Sequence, residues 1–145
     1  MIAVDTNILA YAHRPDYRDE HSSACDAMTD LMAGTRTWTV PWPCVHEFLA
    51  LVTNPRAFRE PTPINMAFAA VQAWFESPRF VRMGESAAHL QTLERIARHG
   101  KVKGGMYHDA RIAAICLDNG VTEFWTADRD FSRFPELYIR NPLVA

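Results

Sequence analysis

Two aspartates come at the ends of short segments that are typical of strands. Asp5 follows residues 1–4, and Asp128 follows residues 123–126. Both runs are too brief for a helix, so we expect strands there. Because ligands of parallel sheets gather outside the carboxyl ends of the strands, the two carboxylates are predicted to meet at one edge of the sheet.

Two further acids lie on the apolar faces of predicted helices. Asp109 is in the first turn of one helix, and the residues three, four and seven positions later are Ile112, Ala113 and Cys116. Glu47 lies beside the apolar stripe of another helix, with neighbours Cys44, Phe48 and Leu51. A buried carboxylate is costly unless a cation neutralises it, so both acids are candidates for a site.

Three or four converging acids repel one another, and a hard divalent cation with oxygen ligands relieves that repulsion. The four acids therefore predict a Mg²⁺ or Mn²⁺ site that activates water for phosphodiester hydrolysis. Taken singly, an aspartate after a strand is a common turn former or helix cap. Only the joint pattern of Asp5, Glu47, Asp109 and Asp128 favours catalysis.

The rest of the chain alternates strands with helices. Asp5 begins a loop or a helix; further strands are predicted at 37–40 and 138–140, a strand candidate at 80–83, and helices at 19–33, from Pro43 to about 54, 64–77, 86–99 and 107–119. Gly100 is expected to cap the helix at 86–99. This order predicts a mostly parallel sheet with helices on both faces.

Composition is that of an ordinary globular protein with one domain. The chain has 145 residues, 48% of them apolar, and a net charge of -2, which gives no nucleic-acid footprint by itself. Three widely spaced cysteines with no CxxC pair argue against a disulfide framework or a zinc site. No apolar stretch approaches the roughly 18 residues of a membrane helix. We therefore expect a protein of the reducing cytoplasm that does not enter a membrane.

Four segments of the sequence resemble the PIN-domain ribonucleases, specifically the VapC-type toxins of bacterial toxin–antitoxin pairs. They are VDTNILAYAHRPD, PWPCVHEFLALVTNPRAF, HDARIAAICLDNG and FWTADRDFSRFPELYIRNPL. The similarity runs from residue 1 to residue 143, which implies a single PIN domain over 1–145. The ordered set is much more specific than any one segment.

The resemblance implies a three-layer α/β/α fold and Mg²⁺- or Mn²⁺-dependent endoribonuclease activity on structured RNA such as tRNA or rRNA. It also implies a homodimer and silencing by a VapB-type antitoxin. The metal-binding acids would be Asp5, Glu47, Asp109 and Asp128, with Thr6, Asn7 and Thr126 at the polar positions beside them. If residues 126–130 are extended, the strand period points Asp130 to the same side, as an additional outer ligand.

Two other functions are compatible with parts of this pattern. A haloacid-dehalogenase-like phosphatase also places an aspartate after its first strand, but it needs a second acid two residues later, where this chain has Asn7. A non-catalytic PIN-like module that binds RNA or protein has no need of all four acids. Both alternatives are weaker than the ribonuclease because the complete acidic set is present.

Basic and aromatic residues near the predicted site give candidate RNA contacts. Arg14, Lys101, Lys103 and Arg129 fall in predicted loops at the catalytic edge, where they could bind phosphates or remain solvated. Tyr107 could stack on an exposed base, although aromatic residues near helix starts usually pack in cores.

Overall fold

The computed structural model describes residues 1–144 and has a four-stranded sheet with six α-helices. In chain order the elements are β1 Ile2–Val4, α1 Thr6–His13, α2 His21–Ala33, β2 Trp38–Thr39, α3 Trp42–Val52, α4 Ile64–Glu76, α5 His89–Gly100, α6 Met106–Asp118, β3 Glu123–Trp125, a 3₁₀ helix Arg129–Arg133 and β4 Ile139–Arg140. The predicted α/β class is confirmed. No helix of the described part is long and apolar enough to cross a membrane.

The sheet has the strand order β2-β1-β3-β4, and every pair of neighbouring strands is parallel. The chain leaves β1 toward β2 and then returns past β1 to β3, so strand order reverses between β1 and β3. Right-handed crossovers place α1 and α2 on one face and the helices between β2 and β3 on the other. The result is the expected three-layer arrangement with a switch point beside β1.

The strands are short, and β1 and β2 are completely buried, as is typical of a parallel sheet with helices on both faces, whereas β4 is partly exposed. Ile2, Ala3 and Val4 of β1 are at most 1% exposed, and Phe124 of β3 is fully buried. Aromatic rings fill the layers on either side, among them Trp38, Phe48, Phe131 and Phe134. This packing fixes the carboxyl ends of β1 and β3 against each other.

Helix α1 resolves the choice between loop and helix after β1. Asp5 is its N-cap, with an extended backbone (φ -80°, ψ 159°) and a side chain that accepts a hydrogen bond from the Thr6 backbone N–H. A cap of this kind satisfies a donor that the first turn otherwise leaves unpaired. The helix therefore begins at the first residue after the strand-end acid.

The strand candidate at 80–83 is wrong, since only an isolated bridge joins Phe80 to Trp38. Its neighbour β2 is two residues long, and the chain turns directly into α3 after it. The segment is held instead by single hydrogen bonds: Val81 N–H donates to Trp38 O at 2.9 Å, and Thr39 Oγ1 donates to Val81 O at 2.6 Å. A ladder cannot extend where the partner strand ends.

Two other local expectations need correction. Residues 126–130 are not extended throughout, because the 3₁₀ helix begins at Arg129 with Asp128 as its cap. Gly100 is the last residue of α5, and the left-handed cap conformation (φ 51°) belongs to Lys101. A Cβ on Gly100 would lie 3.2 Å from Arg133 O, so this glycine allows close approach to the 3₁₀ helix.

Two glycines near α6 give a matched test of backbone conformation. Gly120 has φ +75°, whereas Gly105 has φ -61°, and a Cβ added at either position meets no atom within 4 Å. We expect Gly120→Ala to destabilise the fold by about 1 kcal/mol through left-handed strain. Gly105→Ala should stabilise it by about 0.5 kcal/mol by restricting the unfolded chain. Urea unfolding measures both, and equal signs would contradict the assigned conformations.

Candidate metal centre

The acidic site lies at the switch point of the sheet, where the carboxyl ends of β1 and β3 adjoin. The Asp5 backbone N–H donates to Trp125 O at 2.9 Å, which continues the pairing of the two strands to their last residues. Asp128 follows three residues after Trp125. The two strand-end aspartates are thus placed at the same edge, as the sequence pattern predicted.

The Asp5 carboxylate is only 5% exposed and accepts hydrogen bonds on both oxygens. Oδ1 accepts from Thr6 N–H at 2.8 Å and from the Cys44 thiol at 3.7 Å. Oδ2 accepts from Thr126 Oγ1 at 2.7 Å and from Asn7 Nδ2 at 3.3 Å. Four donors for the four lone-pair positions of a carboxylate hold this side chain in one orientation.

Thr126 and Asn7 connect the Asp5 carboxylate to the chain around Asp128. Thr126 Oγ1 donates to Asp5, and it accepts from Asp128 N–H at 2.9 Å and from Asn7 Nδ2 at 3.2 Å. Asn7 Oδ1 in turn accepts from Ala127 N–H at 3.2 Å. Asn7 therefore bridges α1 and the segment after β3, and its neutral amide cannot serve as the general acid of a dehalogenase-like phosphatase.

Glu47 reaches the site from the middle of α3. Its Oε2 accepts a hydrogen bond from Thr6 Oγ1 at 2.9 Å, and the same hydroxyl lies 3.3 Å from Cys44 O. The side chain of Glu47 is on the exposed side of α3, next to buried Phe48. Thr6 thus ties the acid of α3 to the start of α1.

Asp109, Asp128 and Asp130 form the tightest carboxylate cluster of the described residues. One oxygen from each lies within 4.8 Å of the other two, a spacing at which a single cation can be shared. Asp109 and Asp128 are partly buried, and Asp130 is exposed. Asp130 joins the cluster from the first turn of the 3₁₀ helix, where its N–H donates to Asp128 Oδ1 at 2.9 Å, and not through an extended strand.

Burial and mutual repulsion raise the pKa of two acids at this edge. Desolvation raises the pKa of Asp5 to about 6, with smaller contributions from the charges of Glu47 and Asp109, while the Thr126 and Thr6 hydrogen bonds oppose the shift. Desolvation also raises the pKa of Asp109 to about 6, followed by the charges of Asp128, Glu47 and Asp130. The five acids therefore act on one another electrostatically, although only three share the closest cluster.

Of the four predicted phosphate contacts, Arg14 is the one with a fixed role in the fold. Its guanidinium donates to Asp16, Thr62 and the Glu60 carbonyl, and it lies 4.2 Å from the centroid of the Phe58 ring. The side chain is 12% exposed, so few donors are left for a phosphate. The other three residues, Lys101, Lys103 and Arg129, are exposed.

Two features of the site have no clear signal in the sequence. Arg133, in the last turn of the 3₁₀ helix, is a cation that lowers the pKa of Asp109, opposing the raised value. The Cys44 thiol contacts Asp5, and burial together with the Asp5 and Glu47 charges raises the pKa of Cys44 far above its usual value. Cys44 therefore stays a neutral thiol, which leaves an all-oxygen ligand set suited to a hard cation such as Mg²⁺ or Mn²⁺.

Comparison with known proteins identifies the family of this chain. The PIN domain family model matches residues 2–137. A VapC ribonuclease of Mycobacterium bovis is 35% identical over 99% of this chain and 96% of its own length. Ribonuclease VapC31 of Mycobacterium tuberculosis is 33% identical over 99% of this chain and 100% of its own length.

Solved structures with the same fold include two toxin–antitoxin proteins. VapBC2 of Rickettsia felis, bound to a promoter DNA fragment, superposes with a TM-score of 0.68 at 18% identity and covers 97% of this chain and 98% of that one. The sarcin-ricin loop cleaving toxin VapC20 of Mycobacterium tuberculosis superposes with a TM-score of 0.64 at 19% identity, and the match covers 91% of this chain and 93% of that one. These matches show the fold. From the family model and the relatives more than 30% identical over its whole length, the chain belongs to the PIN-domain family, among the VapC ribonucleases.

Proposed function

We propose that this VapC-type endoribonuclease toxin cleaves structured RNA, of the tRNA or rRNA class, and requires Mg²⁺ or Mn²⁺. The observation that carries the proposal is the convergence of the Asp109, Asp128 and Asp130 oxygens within 4.8 Å, with Asp5 and Glu47 beside them. Carboxylates packed this closely need a cation to offset their repulsion. A fold neighbour described as cleaving the sarcin-ricin loop supports structured RNA as the substrate class.

Some residues of this site would bind the ion, and others orient the acids. Asp109 and Asp128 would hold the ion, together with Asp130 on the exposed side of the cluster. Glu47 and Asp5 add two further negative charges beside it. When bound, Mg²⁺ or Mn²⁺ supplies a water of lowered pKa and neutralises charge on the phosphate. Hydrogen bonds of Thr126 and Asn7 fix the position of the Asp5 carboxylate relative to the backbone of Asp128. The hydroxyl of Thr6 orients Glu47 by a hydrogen bond.

Because the acidic cluster repels RNA phosphates, binding of RNA needs positively charged residues close to the cluster. Lys101 and Lys103, in the loop between α5 and α6, and Arg129, at the start of the 3₁₀ helix, are exposed and provide that charge. Arg14 contributes less to RNA binding, since its guanidinium already has three partners and a ring against it. Its role is to tie the end of α1 to residues 58–62.

A VapB-type antitoxin and a second copy of this chain are the expected protein partners. Structures of the same fold are toxin–antitoxin complexes, which supports an antitoxin here. An arginine inserted by the antitoxin would pair with the carboxylates that otherwise hold the ion, because its planar fork matches carboxylate geometry. The homodimer is proposed on the family resemblance alone.

Metal removal tests the function directly. We expect cleavage of host RNA to stop in excess EDTA and to return with Mg²⁺ or Mn²⁺, because oxygen-only ligands need a hard ion for charge compensation. Zn²⁺ should restore activity poorly. Sequencing of RNA 5′ ends after incubation of the purified protein with total bacterial RNA measures cleavage and locates the target. Undiminished cleavage in excess EDTA would overturn the proposal.

Substitution of the acids tests their separate roles. We expect Asp109→Asn to reduce cleavage by more than about 100-fold, since losing a direct ligand should exceed the 10- to 100-fold cost of losing a supporting group. The fold should persist, because no hydrogen-bond donor of residues 1–144 reaches this carboxylate. Asp128→Asn and Glu47→Gln should behave alike, and the exposed Asp130→Asn should be milder. Asp26→Asn, on the exposed side of α2, is the control. Wild-type turnover in Asp109→Asn would remove that residue from the site.

Asp109 also predicts a pH dependence of stability in chelator. Its pKa is raised to about 6 in the folded chain, so its favourable contribution is complete near pH 4 and is lost as pH rises through 6. Asp109→Asn should therefore match the wild type near pH 4 and exceed it at pH 7.5 by about 0.5–1 kcal/mol, after allowance for solvent around this half-buried group.

Urea unfolding of both proteins in EDTA measures this difference. The lowered pKa of His13 has the opposite pH dependence, but it is common to both proteins and cancels. Adding Mg²⁺ at pH 7.5 should stabilise the wild type more than the variant. An identical pH profile for the two proteins would show that Asp109 is not strained by its neighbours.

A further inference from the structure

A groove between α5 and the start of α6 lies outside the acidic site. It is lined by Leu90, Leu93 and Glu94 of α5, by Val102 and by Tyr107 of α6. Arg98 and Lys101 stand on the rim, and the cavity has a volume of about 560 Å³. This volume lies within the roughly 300–1,000 Å³ typical of small-ligand sites. We call this surface the α5–α6 groove.

Two of the apolar and aromatic residues of the α5–α6 groove are exposed, whereas Leu93 and Val102 are partly buried against the core. Leu90 is 72% exposed and Tyr107 is 46% exposed. Tyr107 therefore does not pack in the core, which was the common expectation for an aromatic residue at a helix start. An exposed phenol ring beside aliphatic side chains is a surface on which a planar base can stack.

The groove adjoins the proposed catalytic centre through the loop between α5 and α6. Tyr107 is in the first turn of α6, two residues before Asp109. At the other end of the loop, Gly100 lies against Arg133 of the 3₁₀ helix that carries Asp130, and Arg133 Nη1 lies 3.8 Å from Met106 Sδ. The groove and the acids therefore share the same first turn and the same loop.

The charge around the groove favours a polyanion. Glu94 lines the groove, and the residues that follow it, 95–108, contain four Lys or Arg and no acid; they include both lysines of the chain, Lys101 and Lys103. No carboxylate of the described residues forms an ion pair with either lysine. Arg98 is paired with Glu94 at 2.8 Å, so its charge is partly compensated. The two lysines are thus the principal phosphate contacts available here.

We propose that the α5–α6 groove binds an unpaired nucleotide of the RNA substrate that flanks the cleaved bond. The base stacks on Tyr107 over Leu90 and Val102, and Lys101 and Lys103 contact the adjoining phosphates. This subsite rests on the proposed ribonuclease function. It accounts for an exposed aromatic ring, adjacent apolar side chains and two unpaired cations at one end of α6, and it makes the groove a determinant of sequence preference.

Binding of a short fluorescein-labelled oligoadenylate, with Ca²⁺ replacing Mg²⁺, tests the groove by fluorescence anisotropy. We expect Tyr107→Ala to weaken binding by about 5- to 100-fold, the range of one base–aromatic stack, and Tyr107→Phe to retain it. Tyr138→Ala is the matched control, because Tyr138 is a 63% exposed tyrosine that precedes β4, toward the opposite edge of the sheet. Circular dichroism checks that each variant is folded.

Lys101→Gln tests the phosphate contact independently of base stacking on Tyr107. We expect it to reduce the slope of log affinity against log salt by about 0.7, the value for one phosphate contact to a single strand. Arg79→Gln, an exposed cation beside the first residue of β2, should leave the slope unchanged. RNA 5′-end sequencing with Tyr107→Ala should also show a relaxed base preference at one position beside the cut.

The outcomes distinguish the groove from the proposed function. If the wild type cleaves RNA but Tyr107→Ala binds oligoadenylate equally well, or the wild type does not bind it, the subsite is wrong and the function stands. If the wild type cleaves no RNA but its binding depends on Tyr107, the function is wrong and the groove is a nucleotide site. If Tyr107→Ala changes only the sedimentation coefficient, the groove is a protein interface and the proposal is overturned.

Discussion

The buried carboxylate of Asp5 is the constraint on which the rest of the site depends. A charge that is 95% removed from water must be met by donors, and here they come from the backbone of α1, from Asn7, from the Cys44 thiol of α3 and from Thr126 after β3. The three segments can satisfy it only when β1 and β3 are paired in register. The same contacts that solve the burial problem therefore assemble the catalytic edge.

Repulsion between the clustered carboxylates lowers the stability of the metal-free fold. Raised pKa values of about 6 at Asp5 and Asp109 mean that the ionised forms are disfavoured by burial and by their neighbours. At Asp109, whose carboxylate accepts no hydrogen bond from residues 1–144, an amide would be more stable in the metal-free fold. Under the proposed function, a bound ion would recover part of the stability that these five acids cost the metal-free fold.

Much of the site could be predicted from the sequence because its signals are local. Strand-end placement predicted that Asp5 and Asp128 meet at one edge, as they do in the structure. Helix periodicity predicted that Asp109 and Glu47 face the core; Asp109 is partly buried, but Glu47 lies on the exposed side of α3. The strand expected at 80–83 failed because strand length depends on the partner, and β2 has only two residues. Asp130 was located for the wrong reason, since the chain turns into a 3₁₀ helix. The contacts of Arg14, Cys44 and Arg133 depend on segments distant in sequence, which periodicity cannot reveal.

The five acids differ in how freely they can move toward a ligand, and this difference follows from their hydrogen bonds. Asp5 has all of its lone-pair positions engaged, whereas Glu47 accepts one bond from Thr6, and the Asp109 carboxylate accepts none from residues 1–144. A cation gains most from oxygens that have no donor to give up. Asp5 is thus fixed in position, and under the proposed function Asp109 and the acids of the 3₁₀ segment would supply the ligands that can adjust to the ion.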